Sequence, residues 1–197
     1  MSKLLYQGHG SYRIETNKGI IIYVDPFAGT GYDKKADIVL ITHHHYDHDN
    51  ISLITQNAGC TVIGPEDALN GVKYNSFDTH GIRIDSVSAY NKNHDKHECV
   101  GYVLLFDGIK LYASGDTSLT EDMKDMSYMH IDYALLPIDG IYNMNVKEAI
   151  KCAEIINAKH TIPVHMKPGE LFDINLAEKF MTPSALIVEA GKEITLQ

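Results

Sequence analysis

The sequence predicts an α/β (α+β) protein in which two β-sheets are covered by a few helices, and three observations lead there. Short apolar runs separated by glycine-containing turns fill the first half of the chain. A second group of strands with alternating polarity follows beyond residue 80. A helical stripe then lies between two buried strand runs, which gives that helix a sheet to cover.

Taken in order, KLLY, SYRIE, IIIYV and DIVLIT are broken by GHG, NKG and the stretch from Gly29 to Lys35, so they read as consecutive strands. After a histidine-rich run, NISLITQN is expected as a short helix ended by Gly59, TVIG as a strand and PEDALN as a helical turn. GIRIDSVSAY, CVGYVLLF and IKLYAS alternate apolar and polar residues, with Asp107-Gly108 as a favoured two-residue hairpin between the last two. YALLPI and TIPVH read as buried strands. Between them, NVKEAIKCAEIIN sets Val146, Ala149, Ile150, Ala153 and Ile156 along one helical stripe. NLAEKFM is expected as a further helix and ALIVEA as the last strand, with no repeat or low-complexity tract anywhere.

At 197 residues the chain fits one domain, 1–197, large enough to build a core without disulfide or metal staples. Its 44% hydrophobic and 22% charged residues, with a mean hydropathy of -0.17, point away from a disordered or membrane-embedded class. No apolar stretch nears the roughly 20 residues that span a bilayer. MSKLLYQGHGSYRIET lacks a signal-peptide core, so a cytoplasmic location without a membrane partner is expected. Cys60, Cys99 and Cys152 stand far apart and outside any CxxC pairing, which argues for buried thiols rather than a disulfide framework or thiolate zinc site. A net charge of -9 without a Lys/Arg run disfavours nucleic acid as a partner. A small molecule is the expected partner and a homo-oligomer the default assembly.

The chemistry concentrates in ITHHHYDHDN, at residues 41–50. Its HxHxDH core offers His43, His45, Asp47 and His48, all suitable ligands for zinc and similar divalent ions, directly after an apolar strand. Strand-like alternation would send His43 and His45 to one side, and the turn through Tyr46 lets Asp47 and His48 face a second ion. A histidine-rich surface loop that binds metal only adventitiously is the competing reading. Against it stand Asp116, in LYASGDTS, and His165, in HTIPVHM. Each ends an apolar strand where a loop site could collect it.

HxHxDH, then a strand ending in GDT, then a strand ending in PVH, resembles the metallo-β-lactamase superfamily. GHGSYRIE with IIYVDPF, AYN with VGY after it, and LLPIDGIYNM before the amphipathic helix resemble its UlaG-like branch, the metal-dependent hydrolases related to ascorbate-6-phosphate lactonase. The resemblance implies a four-layer αββα sandwich with two mixed sheets flanked by helices. It also implies two divalent ions, with zinc favoured and manganese, iron or nickel tolerated by the carboxylates. Carried onto this sequence, it assigns His43, His45 and a further histidine to one ion, and Asp47, His48 and His165 to the other, with Asp116 bridging. Many superfamily members hold the further histidine where this chain has Asn91, so NKNHDKHE must supply it; the resemblance favours His97 over His94.

Other residues carry two readings each. Asp25 either accepts a hydrogen bond from a ligand histidine or simply ends its strand in an Asp-Pro turn. His9, between two glycines, either touches substrate or is a turn residue. Tyr142 either lines the pocket or packs in its loop. His44, His80, His130 and His160 are expected to be surface or core residues, and Asp139 and Asn143 stay unassigned near a pocket wall. Two ions about 3.5–4 Å apart lower the pKa of a shared water. The expected reaction is therefore hydrolysis at a carbonyl or phosphorus centre of a small phosphorylated or lactone-type metabolite, with Asp47 orienting the nucleophile. A di-iron oxidoreductase of this fold would replace His45 with Glu, and a nucleic-acid phosphodiesterase would want an added domain. A non-catalytic metal or ligand sensor is the remaining alternative.

Overall fold

The computed structural model describes residues 1–197. The chain opens with β1 (Lys3–Gly8), β2 (Ser11–Glu15), β3 (Ile21–Val24), β4 (Ala36–Leu40) and β5 (Gln56–Ile63). Helix α1 (Pro65–Ala68) and the two-residue strands β6 (Leu69–Asn70) and β7 (Lys73–Tyr74) lead to β8 (Ser76–Thr79), β9 (Ile82–Ser88), β10 (Val100–Phe106) and β11 (Ile109–Ala113). The remainder is α2 (Met123–Met126), β12 (Tyr133–Pro137), α3 (Val146–Ile156), β13 (His160–Val164), α4 (Ile174–Ala177) and β14 (Lys192–Thr195).

Two six-stranded sheets result, ordered β14-β1-β2-β3-β4-β5 and β13-β12-β11-β10-β9-β8. Both are mixed: β3, β4 and β5 run parallel in the first, and β11, β12 and β13 in the second, while the other neighbours are antiparallel. Alternation decides which faces meet. In β9, Ile82 and Ile84 point inward while Arg83 and Asp85 stay partly exposed. Together with Leu4, Ile14, Ile22, Ile38 and Leu104 they belong to a 26-residue core containing residues of both sheets. Each such buried aliphatic side chain contributes about 1.5–3 kcal/mol relative to exposure.

The covering of the two sheets is unequal. Val103 and Tyr112 of the second sheet share a 17-residue cluster with Met123, Met126, Ala149, Cys152, Ala153 and Ile156 of α2 and α3. The buried stripe of α3 is thus rotated from the expected one: Cys152 is fully buried, whereas Val146 and Ile150 are only partly so. Over the first sheet, Tyr23, Val39 and Ile41 are capped by Ile54 and the half-buried Tyr32 and Ile51, residues of a loop and a single 3-10 turn. NISLITQN supplies only that turn, Ile51–Leu53, because Asn50 forms no side-chain cap. The chain then becomes β5, whose ladder on β4 is interrupted between Ala36 and Ile38, and Gly59, at φ 85°, lies in the interruption instead of ending a helix.

The C-terminal expectations shift too. NLAEKFM yields one short helix, α4. ALIVEA is not a strand: Ala185 makes a single bridge to Thr161, and Val188 fills the inter-sheet core as the chain crosses from β13 to β1. The last strand is the next run, KEIT, paired antiparallel with β1.

Candidate metal centre

Parallel strands point their carboxyl ends the same way, and here those ends deliver the functional side chains. Asp25 follows β3, the HxHxDH segment follows β4, Asp116 lies beyond β11, Asp139 beyond β12 and His165 directly after β13. The loop between β9 and β10 adds His94, and the turn between β1 and β2 adds His9. Tyr102 fastens the two sheets at this edge by donating its hydroxyl to the Ile41 carbonyl at 2.8 Å, and the Val100 amide donates to Thr42 at 2.9 Å.

Asp116 is the hub. Its carboxylate lies 3.3 Å from His165 Nε2, 3.4 Å from His94 Nε2 and 3.5 Å from His48 Nε2. Ligand atoms of His43, His45 and His94 lie within 4.8 Å of one another, as do those of His43, His48 and Asp116, and those of His9, Asp47, His48 and His165. Six of the seven expected ligands therefore converge. The seventh, His97, does not: it is exposed and turns Nδ1 toward the Gly71 carbonyl at 3.4 Å, while buried His94 takes the place beside His43 and His45. The cause is local, since Asn91 and His94 exchange backbone hydrogen bonds and curl the loop inward at His94.

Most of the imidazoles are held from behind. Asp25 Oδ2 lies 2.9 Å from His48 Nδ1 and also accepts the Thr42 hydroxyl at 2.7 Å, while Oδ1 accepts the Thr42 amide at 2.8 Å. Thr42 Oγ1 is 3.0 Å from His43 Nδ1. Asn91 Oδ1 is 3.0 Å from His94 Nδ1, so the residue standing where relatives of the resemblance carry a ligand here orients one. Asp139 Oδ2 is 3.2 Å from His165 Nδ1, and Oδ1 accepts the amides of Ile141 and Tyr142. Asn91 and Asp139 are joined through Asn143, at 3.1 and 2.8 Å. Neither Asn143 nor Asp139 had a role in the sequence reading; Asp139, two residues past a strand end in LLPID, carries the same signal as Asp25.

Asp47 is partly buried and meets His9 Nε2 at 3.0 Å. His9 is only 3% exposed and stands behind Asp47, its carbonyl accepting the His165 amide. It lines a separate cavity with Phe27, Ala28 and Leu171, not the cleft above the cluster. Tyr142 does line that cleft. His44 turns outward, with Asp49 at 3.2 Å and Glu66 at 2.9 Å.

Three backbone positions show that this geometry is imposed. His9, Asp25 and His165 adopt φ of 53°, 46° and 45°, a region costly for residues other than glycine and concentrated at functional sites. Gly115 in the SGDT segment has φ 61°, and a Cβ there would meet Thr42 at 2.8 Å. A Cβ on Gly10 would meet His48 Cε1 at 2.8 Å.

The electrostatics divide the histidines. Burial pushes His43 down to about 2, with help from the neighbouring His48. Burial also pulls on His48, but Asp116 and Asp25 outweigh it and raise the ring to about 9. Burial would raise Asp116 as well, yet the surrounding imidazoles, His165 first, hold it far below the ordinary carboxylate range. For Asp47 the His9 contact and the charge of His48 overcome burial and bring it down to about 2. Among the buried polar atoms without a hydrogen-bond partner are four imidazole nitrogens of this site: His43 Nε2, His48 Nε2, His165 Nε2, and His165 Nδ1, which has Asp139 as an ion-pair neighbour only. Leaving such groups unpaired costs about 1–3 kcal/mol each. Their convergence on ionised carboxylates fits divalent metal.

Comparison with known proteins agrees. Residues 3–165 match the β-lactamase superfamily domain. A UPF0173 metal-dependent hydrolase of Pyrococcus furiosus is 33% identical over 84% of each chain, and one of Thermococcus onnurineus is 31% identical at the same coverage. Among solved structures, a Parabacteroides distasonis protein has a TM-score of 0.76 at 29% identity, covering 93% of this chain and 91% of its own. Igni18, a metallo hydrolase from Ignicoccus hospitalis, reaches 0.78 at 24% identity, covering 100% and 99%, a likeness that bears on the fold alone. With most of the chain matched and relatives above 30% identity aligned along most of their length, it belongs to the β-lactamase superfamily and, within it, to the UPF0173 metal-dependent hydrolases.

Proposed function

We propose that the protein is a UlaG-like hydrolase that cleaves an ester, lactone or phosphoester bond of a small metabolite with two divalent ions. His43, His45 and His94 would hold one ion and Asp47, His48 and His165 the other, with Asp116 between them. The observation that carries this reading is the set of buried, partnerless Nε2 atoms of His43, His48 and His165 gathered around Asp116. When bound, the ions would acidify water and stabilise the negative charge that develops on the attacked centre. The imidazole-rich donor set suits zinc best, and the carboxylates also accept manganese, iron or nickel.

The side chains supply the rest. Asp47, ionised at neutral pH and clamped by His9, accepts a hydrogen bond from the attacking water and aims it at the substrate. Asp25 fixes the tautomer of His48 so that its Nε2 faces the centre, and Asp139, 3.2 Å from His165 Nδ1, stabilises that ring by charge. The exposed His45 and the buried His94 meet the cleft where substrate enters. The acidic balance, without a basic run, supports a free small molecule over nucleic acid. Three free cysteines suit the cytoplasm, and no helix is long and apolar enough to cross a membrane. A homo-oligomer is the default assembly.

The test is elemental analysis of purified protein combined with hydrolysis of an ester, lactone and phosphodiester panel. Two ions per chain are expected, and His45→Ala abolishes metal-dependent turnover while leaving the circular dichroism and melting of the fold in place. Substantial residual turnover in that variant would sink the assignment.

A further inference from the structure

We propose that the substrate is an uncharged carboxylic ester or lactone bearing an aromatic or apolar group, seated between Tyr46 and Tyr142. This rests on the hydrolase reading above and narrows it. The cleft over the cluster measures about 410 Å³, a volume suited to a small molecule. Asp47, His94 and His165 form part of its lining, and Tyr46, Asn93 and Tyr142 also face it.

Both tyrosines present apolar area to solvent, at 80% and 52% exposure, one backed by a ring and the other carried on a pinned backbone. Phe27 meets the Tyr46 ring edge-on, with centroids 5.8 Å apart and planes at 89°. Tyr142 is fixed through its backbone: its amide donates to Asp139 Oδ1 at 2.7 Å and its carbonyl accepts Asn93 Nδ2 at 2.7 Å. Asp139 also faces His165, so one carboxylate sets both a candidate ligand and a substrate-facing ring. A tyrosine has two side-chain torsions to fix, so a packed Tyr46 ring and a Tyr142 ring on a pinned backbone lose little freedom on closing over a flat group.

Charge decides against a phosphorylated substrate. Phosphate is usually gripped by arginine forks or lysines. The chain has two arginines, and both are committed elsewhere: Arg13 to Asp33 at 2.8 Å, and Arg83 to Asp78 and Asp85 at 2.7 and 2.9 Å. No lysine lines the cleft, and Lys167, two residues past His165, is paired with Glu170. The two wall carboxylates, Asp47 and Asp116, are taken up by the ions under the hydrolase reading, and no arginine or lysine is left on the walls for a second anionic group. A phosphate remote from the reacting bond would find no guanidinium or ammonium group there to grip it.

The reaction balances with water alone. The water oxygen bonds to the acyl carbon, the acyl C–O bond breaks, one water proton passes to the departing alkoxide and the other to solvent. An ester gives a carboxylate and an alcohol, and a lactone gives a single hydroxy acid.

Zinc-loaded protein is assayed on dihydrocoumarin, on 4-nitrophenyl acetate, on the same ester carrying a phosphate on its acyl group, and on bis(4-nitrophenyl) phosphate. Dihydrocoumarin is expected to exceed the phosphorylated ester at least about 10-fold in kcat/KM, the scale on which a lost or repelled polar contact discriminates. Tyr46→Ala and Tyr142→Ala should each raise KM for dihydrocoumarin about 3- to 10-fold at unchanged metal content, with recovery in the Phe variants. Binding of the lactam isostere 3,4-dihydro-2-quinolinone to chelated protein, followed by ligand-observed NMR, should be lost in the double Ala variant, a readout independent of the ions. Preference for the phosphorylated substrates, or tyrosine variants with unchanged KM and lactam binding, overturns the inference and leaves the hydrolase reading intact. No zinc-dependent turnover of any substrate overturns both.

Discussion

The two halves of the centre are built differently, although they share Asp116. On the Asp47/His48/His165 side every side chain is backed by an ionisable group: His9 behind Asp47, Asp25 behind His48 and Asp139 beside His165. On the other side, His43 and His94 rest on the neutral Thr42 and Asn91, and no side-chain hydrogen bond holds the exposed His45. A carboxylate behind an imidazole raises its basicity and fixes its orientation, whereas a hydroxyl or amide mainly orients. Under the proposed reading, the carboxylate-backed half binds its ion more tightly and the open half exchanges its ion, while both face the substrate cleft.

The largest effect should come from removing what the halves share. Asp116→Asn is expected to lower the metal content from two ions per chain to less than one, read by elemental analysis after desalting. Retention of one ion would show that the backed half stands without the bridge. Next, Asp25→Asn should weaken the tighter ion about 10–100-fold, the usual scale for losing such a partner. Asn91→Ala should weaken only the looser ion, and by less. Competition against a chelator of known affinity measures both, and equal losses would erase the distinction between the halves.

A smaller change probes how the open half is propped. Gly115→Ala would place a methyl group on a residue at φ 61°, 2.8 Å from the Thr42 side chain that holds His43. The expected cost is about 1–3 kcal/mol of stability, seen as a lower melting temperature, together with faster loss of the looser ion.

The same contrast explains which residues could be read from the chain. His43, His45, Asp47, His48, Asp116 and His165 were legible because each follows an apolar strand, and the parallel ends of both sheets bring them to one edge. His94 ranks second to His97 on sequence, because the choice depends on the loop closing through the Asn91–His94 bridge, a local turn that carries no periodicity. Asp139 had the right position after a strand, but its partner His165 belongs to a neighbouring strand end and was invisible in one dimension. The unequal covering of the sheets was hidden for a similar reason. ISL and ALIVEA have the composition of regular elements, yet tertiary position uses one as a turn over the first sheet and the other as a crossing between sheets.

The finest test is the pH dependence of the metal-free protein, where His43 of the open half and His48 of the backed half should fail at opposite ends. His43 is held down to about 2, mainly by burial, against about 6.5 in the unfolded chain. Its contribution is therefore present above about pH 6.5 and is lost as pH falls from there toward 2, because the unfolded chain takes up the proton first. His48 is raised to about 9 against burial by Asp116 and Asp25, so its contribution is complete below about pH 6.5 and is lost as pH rises through 9. Chelated protein should accordingly melt highest near pH 6–7, with an acid limb that His43 shares with His9 and Asp47, which are also held down, and an alkaline limb from His48. Asp25→Asn should make the alkaline limb shallower, Asp116 still raising His48, and His43→Asn should make the acid limb shallower. If both limbs respond to both substitutions, the halves titrate as one coupled unit, and the separation inferred from their hydrogen-bond partners does not extend to their energetics.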